Sequence, residues 1–71
     1  MYIKIFVYDT INHGEKIPTI INVNQIEAIQ PVSKNMQLQY GYDYCFRTGG
    51  QWFNIDKTDA EKIFNIIGVR I

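Results

Sequence analysis

The dipeptide Gly49-Gly50, set between alternating residues on both sides, constrains this chain more than any other feature. Glycine reaches positive φ without steric cost, as a two-residue primed turn requires, so the pair predicts a hairpin and sets its register. Thr48 then faces Gln51, Phe46 faces Phe53 and Tyr44 faces Ile55 on one side of the ribbon. The other side pairs Arg47 with Trp52 and Cys45 with Asn54. Tyr42 shares the phase of Tyr44 and Phe46. Burying each such side chain contributes about 1.5–3 kcal/mol, so this face is assigned to the core.

Period two extends through most of the remaining chain. In YIKIFVY, Ile3, Ile5 and Val7 share one face while Tyr2, Lys4, Phe6 and Tyr8 share the other. Asn12, His13 and Gly14 supply a turn, with His13 a solvated residue in it. A second strand places Ile17, Thr19, Ile21 and Val23 on one side, with Pro18 at its start or at a sheet edge. Asn24-Gln25 forms a corner, Ile26–Val32 a third strand, and Ser33–Asn35 a polar turn. Met36, Leu38, Tyr40, Tyr42, Tyr44 and Phe46 all fall on even positions. This parity predicts one long strand, bent or bulged at Gly41.

After Asp56 the period changes. Thr58 and Glu61 have capping-box spacing, Ala60, Ile63, Phe64 and Ile67 follow a helical stripe, and Gly68 suits the position just past the helix end. The expected fold is α+β, one domain spanning 1–71. An antiparallel sheet of about five strands, a meander of hairpins, occupies 1–56, and one C-terminal helix over 58–67 packs on one face.

A chain of 71 residues lies near the lower limit for a self-sufficient core, where disulfides, metals or oligomerisation usually help. The single cysteine, Cys45, cannot form an internal disulfide, and one Cys with one His makes no structural zinc site. No cofactor is therefore expected, and a homodimer is. Seven basic residues balance seven acidic ones, without the basic footprint of a duplex-DNA binder. The amino-terminal MYIKIFVYDT alternates and carries charge, unlike a signal peptide or a membrane span, which implies a cytoplasmic setting with no membrane partner. Chemistry is equally sparse. His13 and Ser33 are the only residues of their types, Cys45 has no basic neighbour at a helix N-terminus, and Asp56 and Asp59 are explained by the helix start. No glycine-rich phosphate loop occurs. An enzyme is not expected.

What remains is surface. Arg47 and Trp52 face away from the core, where guanidinium over indole is worth about 0.5–1 kcal/mol as a cation–π contact. The pair reads either as a stabilising cross-strand contact or as a partner-binding hot spot, in which Trp and Arg are enriched. The first strand is apolar on both sides, and one helix cannot cover both. With Ile3, Ile5 and Val7 inside, Tyr2, Phe6, Tyr8 and Lys4 join Trp52 and Arg47 outside; the reverse assignment would expose three aliphatic residues instead. Either arrangement marks an interface with another protein or a second copy. A second reading is binding of single-stranded nucleic acid or a nucleotide, with bases stacked on the outer aromatics and Lys4 and Arg47 supplying charge. Zero net charge and the lack of an RRM-type aromatic motif weigh against it.

The succession INVNQIEAIQP, strand, glycine turn, QWFNIDKTDAEKIFNII resembles short bacterial and phage proteins of the flagellar FlbD-like and swarming-motility type. Ile26 and Ile29, Gly49-Gly50, and Thr58 with Glu61 carry the likeness over Ile20 to Ile67. The first strand is more aromatic, and the hairpin region longer, than in that pattern. The resemblance implies a small non-enzymatic accessory protein and transfers no site residues. The leading reading of the chain as a whole is a protein-interaction module, a bacterial or phage-encoded regulator or inhibitor that occludes a partner.

Overall fold

β1 (Tyr2–Tyr8) and β2 (Lys16–Asn22) pair antiparallel, with Ile5 opposite Thr19, Phe6 opposite Pro18 and Val7 opposite Ile17. Alternation buries Ile5 and Val7 and leaves Tyr2, Lys4 and Phe6 outside. The computed structural model describes residues 1–9, 11–12 and 14–68, so the expectation for His13 lies outside the described residues. Around the turn, the Asp9 N–H donates to the Glu15 carbonyl and the Ile11 N–H to Asp9 Oδ1, both at 2.9 Å. A 3₁₀ turn, Val23–Gln25, follows β2. It is capped by Asn22, whose Oδ1 accepts the Asn24 N–H at 3.1 Å.

β3 is shorter than expected, Ala28–Pro31, and the long strand from Met36 is not a strand at its start. Residues Lys34–Tyr40 form helix α1. Ser33 caps it, accepting the Met36 N–H at 3.3 Å, and Gly41 ends it at φ 76° with its N–H on the Gln37 carbonyl. The expected Ser33–Asn35 turn is thus the helix start, and the expected bulge at Gly41 is a left-handed C-terminal cap. Lys, Met, Gln and Leu are all good helix formers, so local propensity agrees with the caps. α1 buries no residue, and Leu38 is 79 % exposed.

β4 (Tyr44–Thr48) and β5 (Gln51–Ile55) form the hairpin that Gly49-Gly50 predicts, with φ of 57° and 77° at the two glycines. All five expected pairs are present. β3 pairs β4, giving a three-stranded sheet in the order β3-β4-β5 beside the separate β1–β2 ribbon. The strands therefore make two antiparallel sheets, not one of five. β1 does lie against β5. The free edge of β1, however, is met by a carboxylate: the Phe6 N–H donates to Asp59 Oδ2 at 3.1 Å.

Asp59 belongs to helix α2 (Lys57–Ile67), which makes two α-helices among the described residues instead of the one expected. Asp56 occupies the N-cap position without a side-chain cap bond, and Thr58 lies inside the first turn, so the expected Thr58–Glu61 capping box does not form. Gly68 closes the helix at φ 79°, its N–H on the Phe64 carbonyl. Ala60, Ile63 and Phe64 are buried against Ile5, Val7, Ile21, Val23, Phe46 and Ile55 in one core, while Ile67, expected on the same stripe, stays exposed. The fold is α+β with antiparallel sheets. No helix among the described residues is long and apolar enough to cross a membrane.

Candidate interaction surface

The hairpin register puts Arg47 directly opposite Trp52 on the outer face of β4–β5. Trp52 is 44 % exposed. The Arg47 guanidinium engages a carboxylate: its Nε lies 3.4 Å from Glu27 Oε2. Glu27 Oε1 also accepts the Gly50 N–H at 3.1 Å, so one acid joins the end of the hairpin to the segment before β3. Thr48 Oγ1 adds a bond to the Gln25 carbonyl at 3.1 Å. Among the described residues, the cation–π contacts are Lys4 on Phe6 and Lys16 on Tyr8, each 5.5 Å from the ring centroid. The exposed Arg47–Glu27 pair is worth little to stability. It ties the guanidinium to the segment just before β3, while the Trp52 indole stays partly open to solvent.

On the ribbon, the face turned from the core carries Tyr2, Lys4, Phe6 and Tyr8 from β1, opposite Asn22, Ile20, Pro18 and Lys16 from β2. Tyr2 and Phe6 are exposed, and Ile20 is 72 % exposed. Tyr8 differs. Its ring packs against the buried Tyr42 at 4.5 Å, and its hydroxyl donates to Asp56 Oδ1. Lys16 Nζ donates to the other oxygen of the same carboxylate. Burial, then the bond to Asp56, pushes the Tyr8 phenol up to about 12. Burial alone would raise Asp56, but the bonds from Lys16 and Tyr8 outweigh it and hold the carboxyl below its usual range. Tyr8, Lys16 and Asp56 form a clasp between the ribbon and the start of α2. This also explains why Asp56 does not cap the helix with its side chain.

A shallow groove of about 240 Å³ runs beside β2, lined by Thr19–Asn22, Gln25, Phe46, Thr48 and Phe53. Phe46 and Phe53 stack on its floor with centroids 5.5 Å apart. Sequence reasoning did not single out Ile20 or this groove, although the parity that sends Ile21 inward sends Ile20 outward. Burial raises the Cys45 thiol, against a lowering contribution from a bond to Gln30. Among the described residues no group of three or more His, Cys, Asp or Glu stands together as a metal-ligand set.

Compared with known proteins, the chain matches no family model, no curated protein and no solved structure.

Proposed function

We propose that this protein is a non-enzymatic protein-interaction module, a regulator or inhibitor that acts by occluding a partner, and that it works as a homodimer. The observation that carries this reading is the apolar outer surface: Tyr2, Phe6 and Ile20 on the ribbon, and Trp52 on the hairpin, all exposed in a neutral 71-residue chain. Large aromatic and branched side chains left in water at this density mark interaction surfaces. The likeness to FlbD-like small proteins points the same way. A photo-crosslinking residue replacing Tyr2 in the native host is expected to give adducts of discrete mass, and one replacing Lys34 on α1 none. Equal, diffuse labelling from both positions would refute the reading. The competing reading, bases stacked on the outer aromatics, predicts salt-sensitive quenching of Trp52 fluorescence by a single-stranded oligonucleotide. No quenching is expected.

A further inference from the structure

We propose that two copies of this chain associate by antiparallel pairing of β2 with β2, across a two-fold axis at Thr19. The inference deepens the reading above and rests on its homodimer. Pro18 has no N–H and sits opposite Phe6, whose own N–H goes to Asp59. The ladder with β1 therefore runs through Ile17, Thr19 and Ile21, and the N–H and C=O groups of Lys16, Ile20 and Asn22, with the Pro18 carbonyl, point the other way. Among the described residues no strand pairs with that edge.

Edge strands are ordinarily blunted by charge, proline or a bulge. From Ile17 to Asn24 this one carries no charge, and Pro18 is its one blunting residue. Such an edge selects a strand uncharged along its length but for an end, and β2, whose one charge is Lys16 at its start, is itself such a strand. Centring the pairing on Thr19 overlaps the strand over its whole length. Lys16 then meets Asn22 of the second copy, so no like charges oppose, and Ile20 meets Pro18, covering an isoleucine that is 72 % exposed. On the inner side Ile17 lands opposite Ile21, over the groove floored by Phe46 and Phe53. Ile17 lies on the core-facing side of β2 and is nevertheless 46 % exposed, which this placement explains. The contact is isologous and closes on itself, so it stops at the dimer.

The test uses the full chain. Light scattering at tens of micromolar is expected to give twice the 8.3 kDa chain mass, and Ile20→Lys to weaken the dimer at least tenfold with an unchanged circular-dichroism spectrum. Thr19→Cys, made with Cys45→Ser, reports the register independently. Central residues of a non-hydrogen-bonded antiparallel pair lie about 4.5 Å apart at Cα, within disulfide range. Mild oxidation should link this variant to itself at least tenfold faster than a Leu38→Cys control. A wild-type mass of 8.3 kDa at hundreds of micromolar would overturn the inference while leaving a foreign partner for the outer face. A dimer that Ile20→Lys does not weaken, or a Thr19→Cys variant that links no faster than the control, would overturn it by placing self-association elsewhere.

Discussion

Asp59 is only 6 % exposed and accepts the Phe6 N–H at 3.1 Å, bonding helix α2 to the free edge of β1. Replacing it with alanine removes a hydrogen bond to a charged acceptor, worth about 1.5–3 kcal/mol, and strands a partly buried donor. It also removes an acid from the first turn of a helix, worth about 0.3–1 kcal/mol. Lys62, whose Nζ lies 3.3 Å from Asp59 Oδ1, is half-exposed and adds little. The expected cost of Asp59→Ala is therefore about 2–4 kcal/mol, a fall in melting temperature of about 10 °C or more for a domain of this size. Asp59→Asn keeps a carbonyl acceptor without the charge and should cost about 1 kcal/mol. Lys62→Ala should cost less than about 0.5 kcal/mol. Urea unfolding followed by circular dichroism, at one fixed protein concentration because association adds to stability, measures all three. If Asp59→Ala falls within about 0.5 kcal/mol of wild type, or Asn proves as costly as Ala, the carboxylate does not bond the helix to the ribbon and the reasoning fails.

Trp52→Ala should cost folding less than about 1 kcal/mol, whereas Phe46→Ala, at a fully buried position, should cost about 3–5 kcal/mol; equal melting of the two would place Trp52 in the core. Gly41→Ala should destabilise by about 1–2 kcal/mol through the left-handed backbone alone, since an added Cβ there meets nothing within 4 Å. A neutral result in urea would remove the helix cap. The clasp makes stability depend on pH at both ends. The Asp56 carboxyl is depressed on folding, so its contribution is present above about pH 4 and lost as acid protonates it. Tyr8 and Lys16 are raised on folding, Tyr8 by burial and then its Asp56 bond, Lys16 by its Asp56 bond. Their contribution is complete below about pH 10 and is lost as pH climbs towards the folded-state value of Tyr8. Unfolding midpoints measured across pH should show a shallower acid limb in Asp56→Asn and a shallower alkaline limb in Tyr8→Phe, and unchanged limbs would dissolve the clasp.

Features governed by local sterics were legible in the sequence. Two glycines with positive φ dictate the hairpin and all five of its cross-strand pairs, and Gly68 dictates where α2 stops, because only a residue without Cβ reaches these conformations freely. Parity likewise set Trp52 on the face opposite Phe46 and grouped Tyr2 with Phe6 and Ile5 with Val7; which face of the first strand is buried, Ile5 and Val7, only the packing decided. Parity could not distinguish a strand from a helix over Met36–Tyr40, since Met36 and Tyr40 satisfy spacing two and spacing four alike. The caps from Ser33 and Gly41 decided it, together with β3 ending at Pro31, opposite Tyr44, which leaves residues 36–40 no strand to pair with. The remaining choices belong to groups far apart in the chain. Asp59 meets Phe6 across 53 residues and keeps the ribbon a separate sheet. Asp56 meets Tyr8 across 48 and draws that side chain out of the open aromatic face, and Glu27 pairs with the Arg47 guanidinium. A carboxylate binds whichever buried or edge donor the folded chain brings to it, and spacing along the sequence carries no record of that distance.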